Sequence, residues 1–524
     1  VLDMFLAQAP AAPLEVPSVD YAAVLPMLIV FGVACIGVLV EAFAPKATRW
    51  GIQVTISLVA ILAAGVSLIL YATGASATKA GTTTFSGSIS VDRPSLFLWG
   101  TLLLLGLGAV FLIADRKVEP GGAFVAQAAI RPGTVQDRAQ AATTSQTEVF
   151  PLTLFALGGM MTFCAANDLL TMFIALEVLS LPLYLMCGLA RRRRLISQEA
   201  AVKYFLLGAF SSAFFLYGLA LLYGYADSVK LVDIAHAAAG SDRSDTLLFA
   251  GLGLLVVGLL FKGSVGPFHT WTPDVYQGAP TPVTGFMAAC TKVAAFGAIL
   301  RVLSVGFSST SWEWRGVMWA VAIISMALGA VLGLTQTDVK RMIAYSSVAH
   351  AGFLLVGAIA MTEDGLSGTL FYLLAYGFTT LAAFGVVSLV RDSSGEATHL
   401  SAWAGLAKRS PLLAGVFTFL LLALAGIPLT SGFVGKFVVF SAALSDGMAP
   451  LVVVALVFSA VAAFFYLRVI VLMYFSEPAA DGPTVTVPGG FTTAAIALGV
   501  VVTLVLGVLP AFALDWAGAG GFAS

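Results

Sequence analysis

Charge is what this chain has least of: Asp, Glu, Lys and Arg make up 10% of its 524 residues, against about 25% in soluble globular proteins. A polypeptide so poor in charge, with 59% of its residues hydrophobic, cannot present a wettable surface, so it is expected to be an integral membrane protein. Its net charge of −1 gives no basic excess to hold a nucleic acid, and no such partner is expected. Cysteine is scarce too. Cys35, Cys164, Cys187 and Cys290 all fall in apolar runs and form no CxxC, which argues against disulfides and zinc and suggests small apolar packing residues. The opening segment, VLDMFLAQAPAAPLEVPSVD, lacks the basic start and continuous apolar core of a cleavable signal peptide.

Apolar runs long enough to cross a bilayer are present in abundance. Stretches of roughly 20 residues give about fourteen spans: 21–44, 52–73, 93–114, 147–166, 168–190, 198–224, 246–267, 281–305, 315–335, 339–361, 366–390, 411–443, 450–475 and 490–512. The expected fold is all-α and polytopic. With the N-terminus outside, the inner loops collect 15 of the 26 Lys and Arg residues, among them Arg191 to Arg194, Lys340, Arg341, Lys408 and Arg409. The outer side keeps six, Lys79, Arg93, Lys230, Arg243, Arg301 and Arg315, so both termini are expected outside. Residues 74–91 are rich in Thr and Ser and suit a short external hairpin, while 118–146 suit a mobile linker or a subunit contact.

The few ionisable residues inside spans stand out against this background. Glu177 is the only acid so deep, with Pro182 just beyond it. Lys262 and Lys292 lie within consecutive spans, separated by Pro267 and the polar corner HTWTPDVYQGAPTPV. A charge near the bilayer midplane costs roughly 2.5–3.5 kcal/mol on insertion scales, so such residues face a partner or a hydrated path. Lys203 has Glu199 at i−4 for a simple helix pair. Lys436 follows Pro428, Gly432 and Gly435 in a second broken helix, and Arg468 is a further cation in span thirteen. Span ten offers Tyr345, Ser346, Ser347 and His350 as buried polar groups, and His269 lies in the corner.

The two broken helices suggest a duplication. Lys262 lies 115 residues after Thr147, and Lys436 lies 121 after Arg315. Five spans per copy is an odd number, so adjacent copies have opposite orientations, the inverted-repeat plan with ion sites at discontinuous helices. The expected division is 1–146 for the first three spans and a cytoplasmic loop, 147–305 and 315–475 for the repeats, and 476–524 for the last span. The position matching Glu177 falls near Tyr345.

The strings FIALEVLSLPLYLMCGL, FKGSVGPFHTWTPDVYQGAPTPVTGFMAACTK, QTDVKRMIAYSSVAHAGF and LAGIPLTSGFVGKFVVF resemble the antiporter-like membrane subunits of respiratory complex I, the NADH-quinone oxidoreductase. The corner and the lysine of span twelve are most similar to the subunit N branch. Subunit M commonly has glutamate where Lys436 stands, and subunit L continues into a long lateral helix. The 118–146 loop is longer than is usual in the family. The resemblance implies a non-redox subunit of a proton-translocating enzyme in a bacterial cell membrane. Flavin, iron–sulfur clusters and quinone would then belong to partner subunits, and no cofactor or metal to this chain. Residue by residue, it implies a charged pair of Glu177 and Lys262, a central relay at Lys292 and a terminal lysine at Lys436. Lys203, His269 and His350 match positions along the axis. The implied neighbours are subunits K and M, the lateral helix of subunit L, and membrane lipids. A multisubunit cation/proton antiporter and a structural subunit with static charges are the alternatives.

Overall fold

The computed structural model describes residues 19–74, 81–119, 121–124, 134–136, 146–240, 244–392, 395–478 and 482–523. Its long helices are α1 (Tyr21–Phe43), α2 (Lys46–Thr73), α3 (Arg93–Ala114), α4 (Val149–Ala165), α5 (Leu169–Cys187), α6 (Arg194–Ala226) and α7 (Thr246–Lys262). The short α8 (Trp271–Gly278) leads into α9 (Thr281–Gly306), a helix with two π turns, at Met287–Thr291 and Val302–Gly306. Then come α10 (Ser311–Thr335), α11 (Val339–Ala360), α12 (Glu363–Val387), α13 (Pro411–Ala425), α14 (Ser431–Ser445), α15 (Ala449–Phe475) and α16 (Gly490–Val508). Eleven of these are long and apolar enough to cross a membrane. The shorter α4, the shorter α7 and the two-part α13–α14 complete the fourteen crossings expected.

Burial divides the crossings into an axis and a shell. The apolar stretches of α9 and α12 are wholly buried and that of α11 nearly so, whereas only about a third of α6, α15 and α16 is. The shell turns Leu, Val and Phe outward, as lipid-facing or subunit-facing surface requires. Antiparallel neighbours approach closely where glycine removes a side chain. A Cβ on Gly329 of α10 would lie 2.3 Å from the Ala349 backbone nitrogen of α11, so that crossing tolerates nothing larger.

The basic loops meet on one face. Glu119 pairs with Arg192 at 3.1 Å and Arg391 at 2.9 Å, and Arg193 donates to Thr398. The start of the 118–146 segment is therefore fastened there, with Phe124 bridged to Ala190, while most of that segment lies outside the described residues. On the opposite face the expected hairpin forms, Thr82–Thr84 antiparallel to Ile89–Val91. Arg301, counted above as an outer-loop charge, is instead fully buried. Its guanidinium donates to both Asp92 oxygens, at 2.8 and 3.0 Å, and to Ser95 Oγ at 2.7 Å. Asp92 also caps α3 through the Ser95 N–H at 3.0 Å. Cys35 is exposed on α1 rather than packed inside, while the other three cysteines are buried and all four are free.

A repeated hydrogen-bond pattern ties α5 and α11 to distant chain. Asp168 caps α5, and the backbone around it exchanges bonds with Val229 and Leu231. Asp338 caps α11, and the backbone around it exchanges the same two bonds with Thr398 and Leu400. The first pattern sits at the end of α5 away from Arg191–Arg194, whereas the second sits beside Arg193, so the two lie on opposite faces. Counting equally from the two caps, Glu177 matches Ser347 rather than Tyr345.

Candidate proton-transfer site

Two prolines shape the centre of the molecule. A proline ring clashes with the carbonyl four residues earlier and offers that carbonyl no N–H. Pro267 thereby frees the carbonyl of Gly263, and α7 ends at Lys262, one turn sooner than the proline itself. Pro428 likewise frees the carbonyl of Leu424, and α13 ends at Ala425 with Gly426 in the left-handed region at φ 86°. Each freed end is a helix C-terminus carrying partial negative charge, and each is met by an ammonium. Lys292 Nζ donates to the Gly263 carbonyl at 3.1 Å and to that of Ser347 at 2.8 Å. Lys436 Nζ donates to the carbonyls of Leu424 and Ala425 at 3.2 and 2.9 Å and to Ser459 Oγ at 2.9 Å. Lys292 and Lys436 thus play the same part, one capping its break from the next span and the other from within its own, while Lys262 and Lys436 stand at near-equal offsets in the two expected repeats.

Lys262 is 2% exposed. Its ammonium donates to Ser180 Oγ at 2.7 Å and to the Tyr204 hydroxyl at 3.0 Å, and stands 5.2 Å from the Tyr204 ring centre. Tyr204 stacks on Trp271 with centroids 4.6 Å apart, and the Trp271 indole N–H is held by the Phe261 carbonyl, so this wall is rigid. Glu177 and Lys262, the charged pair that the resemblance implies, make no salt bridge here. Glu177 lies on the flank of α5 shared with the exposed Ile174 and Leu181, whereas Ser180, on the buried flank, is the residue that reaches the lysine. One Glu177 oxygen, Oε1, is buried without a hydrogen-bond partner.

Between Lys292 and Lys436 stands a cluster of hydroxyls around one imidazole. His350, 2% exposed, shares hydrogen bonds with the Tyr372 hydroxyl through Nδ1 at 2.7 Å and with the Tyr466 hydroxyl through Nε2 at 3.3 Å. Tyr466 also bonds Ser346. Ser459 and Tyr466 are two turns apart on one face of α15, so that helix connects Lys436 to His350. Lys292 stands 5.6 Å from the Tyr376 ring centre and Lys436 5.1 Å from that of Phe353, and His350 contacts both rings. Sequence reading missed Ser180, Tyr204, Tyr372, Ser459 and Tyr466. A signal existed only in the helical spacing of Ser459 and Tyr466 within an otherwise apolar span.

The remaining expected residues are placed differently. His269 is buried with its ring 6.1 Å from that of Tyr345, Nδ1 lacks a partner, and it bonds no lysine. Arg468 donates to the Leu334 carbonyl at 3.1 Å and so closes the end of α10. Lys203 is part-exposed and pairs with Glu199, as its spacing suggested, and also with Asp274, both at 2.7 Å. Asp274 in turn holds Arg341 at 2.6 Å, clamping α6, α8 and α11 together on the basic face. Burial pushes the Asp274 carboxyl up, but hydrogen bonds and charge from Lys203 and Arg341 outweigh it and hold the group below the ordinary carboxylate range. A carboxyl lowered in the folded state stabilises above its unfolded pKa, about 3.9, and loses that contribution as pH falls through the folded value. The difference in thermal stability between the parent and Asp274→Asn is therefore expected to stay constant from about pH 8 to 5 and to shrink below about pH 4. A difference that already changes between pH 8 and 6 would contradict it.

Among the described residues no cluster of His, Cys, Asp and Glu is arranged to hold a metal ion. Fold and site together define an antiporter-like membrane protein, in which buried lysines cap the ends of proline-broken helices. Residues 166–476 match the family model described as NADH:quinone oxidoreductase/Mrp antiporter, transmembrane. The chain belongs to the NADH-quinone oxidoreductase subunit N family. It is 76% identical to subunit N of Saccharopolyspora erythraea over 97% of this chain and 99% of that one. With subunit N of Acidothermus cellulolyticus it shares 59% identity over 98% of each. A chain of respiratory complex I from Thermus thermophilus superposes with a TM-score of 0.75 at 34% identity, over 95% of this chain and all of that one. A chain of the Mrp complex from Dietzia sp. has the same fold, with a TM-score of 0.80 at 21% identity over 95% and 97%.

Proposed function

We propose that this chain is a proton-translocating membrane-arm subunit of NADH-quinone oxidoreductase, moving protons along the axis Lys262, Lys292, His350 and Lys436 while NADH oxidation and quinone reduction take place in other subunits. The observation that carries this reading is the pair of proline-freed helix ends, each holding a buried ammonium by carbonyl oxygens. An ammonium taken from water gives up its proton more readily than one in solvent, and a nearby negative charge opposes the loss. Carbonyls and hydroxyls stabilise the charged lysine without a permanent counter-ion, so a moderate change in field decides whether it holds or releases. Glu177, close to Lys262 but not bonded to it, supplies such a field, and its movement towards or away from the lysine sets the state of that site. Protons pass between Lys292 and Lys436 by way of His350, Tyr372, Tyr466 and Ser459, with the Ser347 hydroxyl, which has no hydrogen-bond partner among the described residues, on the Lys292 side. Lys203 serves the basic-face clamp and His269 the corner, each at the margin of the axis.

The repeats are assigned to 147–305 and 315–475, with 1–146 and 476–524 flanking them. The gathering of basic loops on one face supports placing that face in the cytoplasm of a bacterial cell and both termini outside. The outward apolar faces of α6 and α15 are suited to neighbouring membrane subunits, assigned as K and M, and to the lateral helix of subunit L. Flavin, iron–sulfur clusters and quinone are assigned to partner subunits. Affinity purification of the tagged chain from its own membranes tests the reading. Recovery of flavin- and iron–sulfur-containing subunits with NADH-oxidising activity is expected. Recovery of antiporter subunits alone would overturn it.

A further inference from the structure

We infer that a cavity on the basic face is a binding site for an anionic phospholipid of the adjoining leaflet. The cavity, about 550 Å³ in volume, lies between the first turn of α2, the last turn of α3 and the first turn of α16, within the range of roughly 300–1,000 Å³ common for ligand sites. All three helix ends mark the membrane boundary, which places the cavity at headgroup level. Its wall is aromatic: the Trp50 and Phe491 ring centres are 6.4 Å apart, and those of Phe111 and Phe491 5.9 Å. Its mouth carries Arg116 and Lys117, both exposed. Arg116 is held over the Trp50 ring at 5.3 Å.

Among the described residues no acid pairs with either cation. Asp115, the one acid lining the cavity among the described residues, is buried and turned inward, accepting the backbone N–H of Lys117 at 2.8 Å and of Thr492 at 3.0 Å. A Cβ on Gly489 would lie 2.3 Å from its Oδ2, so the carboxylate is packed against backbone and cannot swing out to the mouth. Of the acids on neighbouring chain, Glu41 pairs with Arg49 at 3.5 Å, and Glu119 is taken up by Arg192 and Arg391. Two unpaired cations above an aromatic, apolar wall at the interface match a phosphodiester headgroup with its acyl chains lying below, the arrangement by which basic pockets between spans hold anionic lipid. A zwitterionic lipid fits the wall but gains less at the mouth, since its ammonium meets the two cations.

The test uses the intact complex in phosphatidylcholine vesicles doped with phosphatidylglycerol whose acyl chain carries a photoactivated crosslinker. Labelling is expected on peptides containing Trp50, Phe111 or Phe491, and unlabelled phosphatidylglycerol should compete it away in the unmodified complex. The double variant Arg116→Gln/Lys117→Gln is expected to lower it by about tenfold, with assembly and quinone reduction unchanged. Equal labelling by a phosphatidylcholine probe would overturn the proposal, as would indifference to the two substitutions. So would transfer of the label to a neighbouring subunit that covers the cavity.

Discussion

Lys292→Met is expected to lower proton translocation at least tenfold, the order lost when a proton-transfer group is removed, while the complex still assembles. Methionine is close to lysine in length and fills the same space in wholly buried α9. It leaves the carbonyls of Gly263 and Ser347 without their donor, which costs about 1–3 kcal/mol per group at most. That is tolerable within a helix packed on all sides. Proton transfer is affected differently, because among the described residues Lys292 is the lysine that bonds both the first broken helix and the Ser347–His350 segment of α11. Its loss separates Lys262 from Lys436. Proton uptake and assembly measured on the same membranes check this. Pumping near the parent rate in a fully assembled complex would show that protons bypass Lys292.

Asp92→Ala is expected to have the largest effect on stability. Arg301 is fully buried, and removing its carboxylate strands a charge, a loss of roughly 3–5 kcal/mol. The assembled complex should fall accordingly in blue-native gels. The double variant Asp92→Leu/Arg301→Met replaces both charges by apolar groups, an exchange that is often close to neutral. What remains is the lost cap on α3, about 1 kcal/mol, so most of the assembly should return. Continued failure of the double variant would mean that the charge itself is required, and Arg301 would join the functional axis.

Much of this architecture was legible in the residues, for a physical reason. Lys262, Lys292 and Lys436 interrupt apolar runs, and nothing except a partner or a wet path excuses a charge there. Pro267 and Pro428 announce the breaks, and the carbonyls they release can be read by counting back four residues. What could not be read is which ammonium reaches which carbonyl. Lys292 caps a break in the preceding span, a relation set by the crossing of α7 and α9 and absent from any local pattern. The resemblance gives Glu177 and Lys262 as a charged pair, yet a turn of helix places Ser180 against the lysine and leaves Glu177 on the flank. Arg301 read as a loop cation because its partner Asp92 stands more than two hundred residues earlier. Tyr372 and Tyr466 were invisible as site residues, since a tyrosine within an apolar helix looks like core until an imidazole is found on its hydroxyl.

The claim that these lysines carry protons, rather than static charge, is tested most directly at Lys262. Alanine there is uninformative, because it removes the charge along with the proton site. Lys262→Arg keeps a cation able to donate to Ser180 and the Tyr204 hydroxyl, but guanidinium, with a pKa above ~12, does not release its proton. The measurement is proton uptake into inverted vesicles alongside quinone reduction, with assembly checked on the same membranes. A relay predicts an assembled complex that has lost most of its proton uptake. Normal uptake by a fully assembled Lys262→Arg complex would contradict the account.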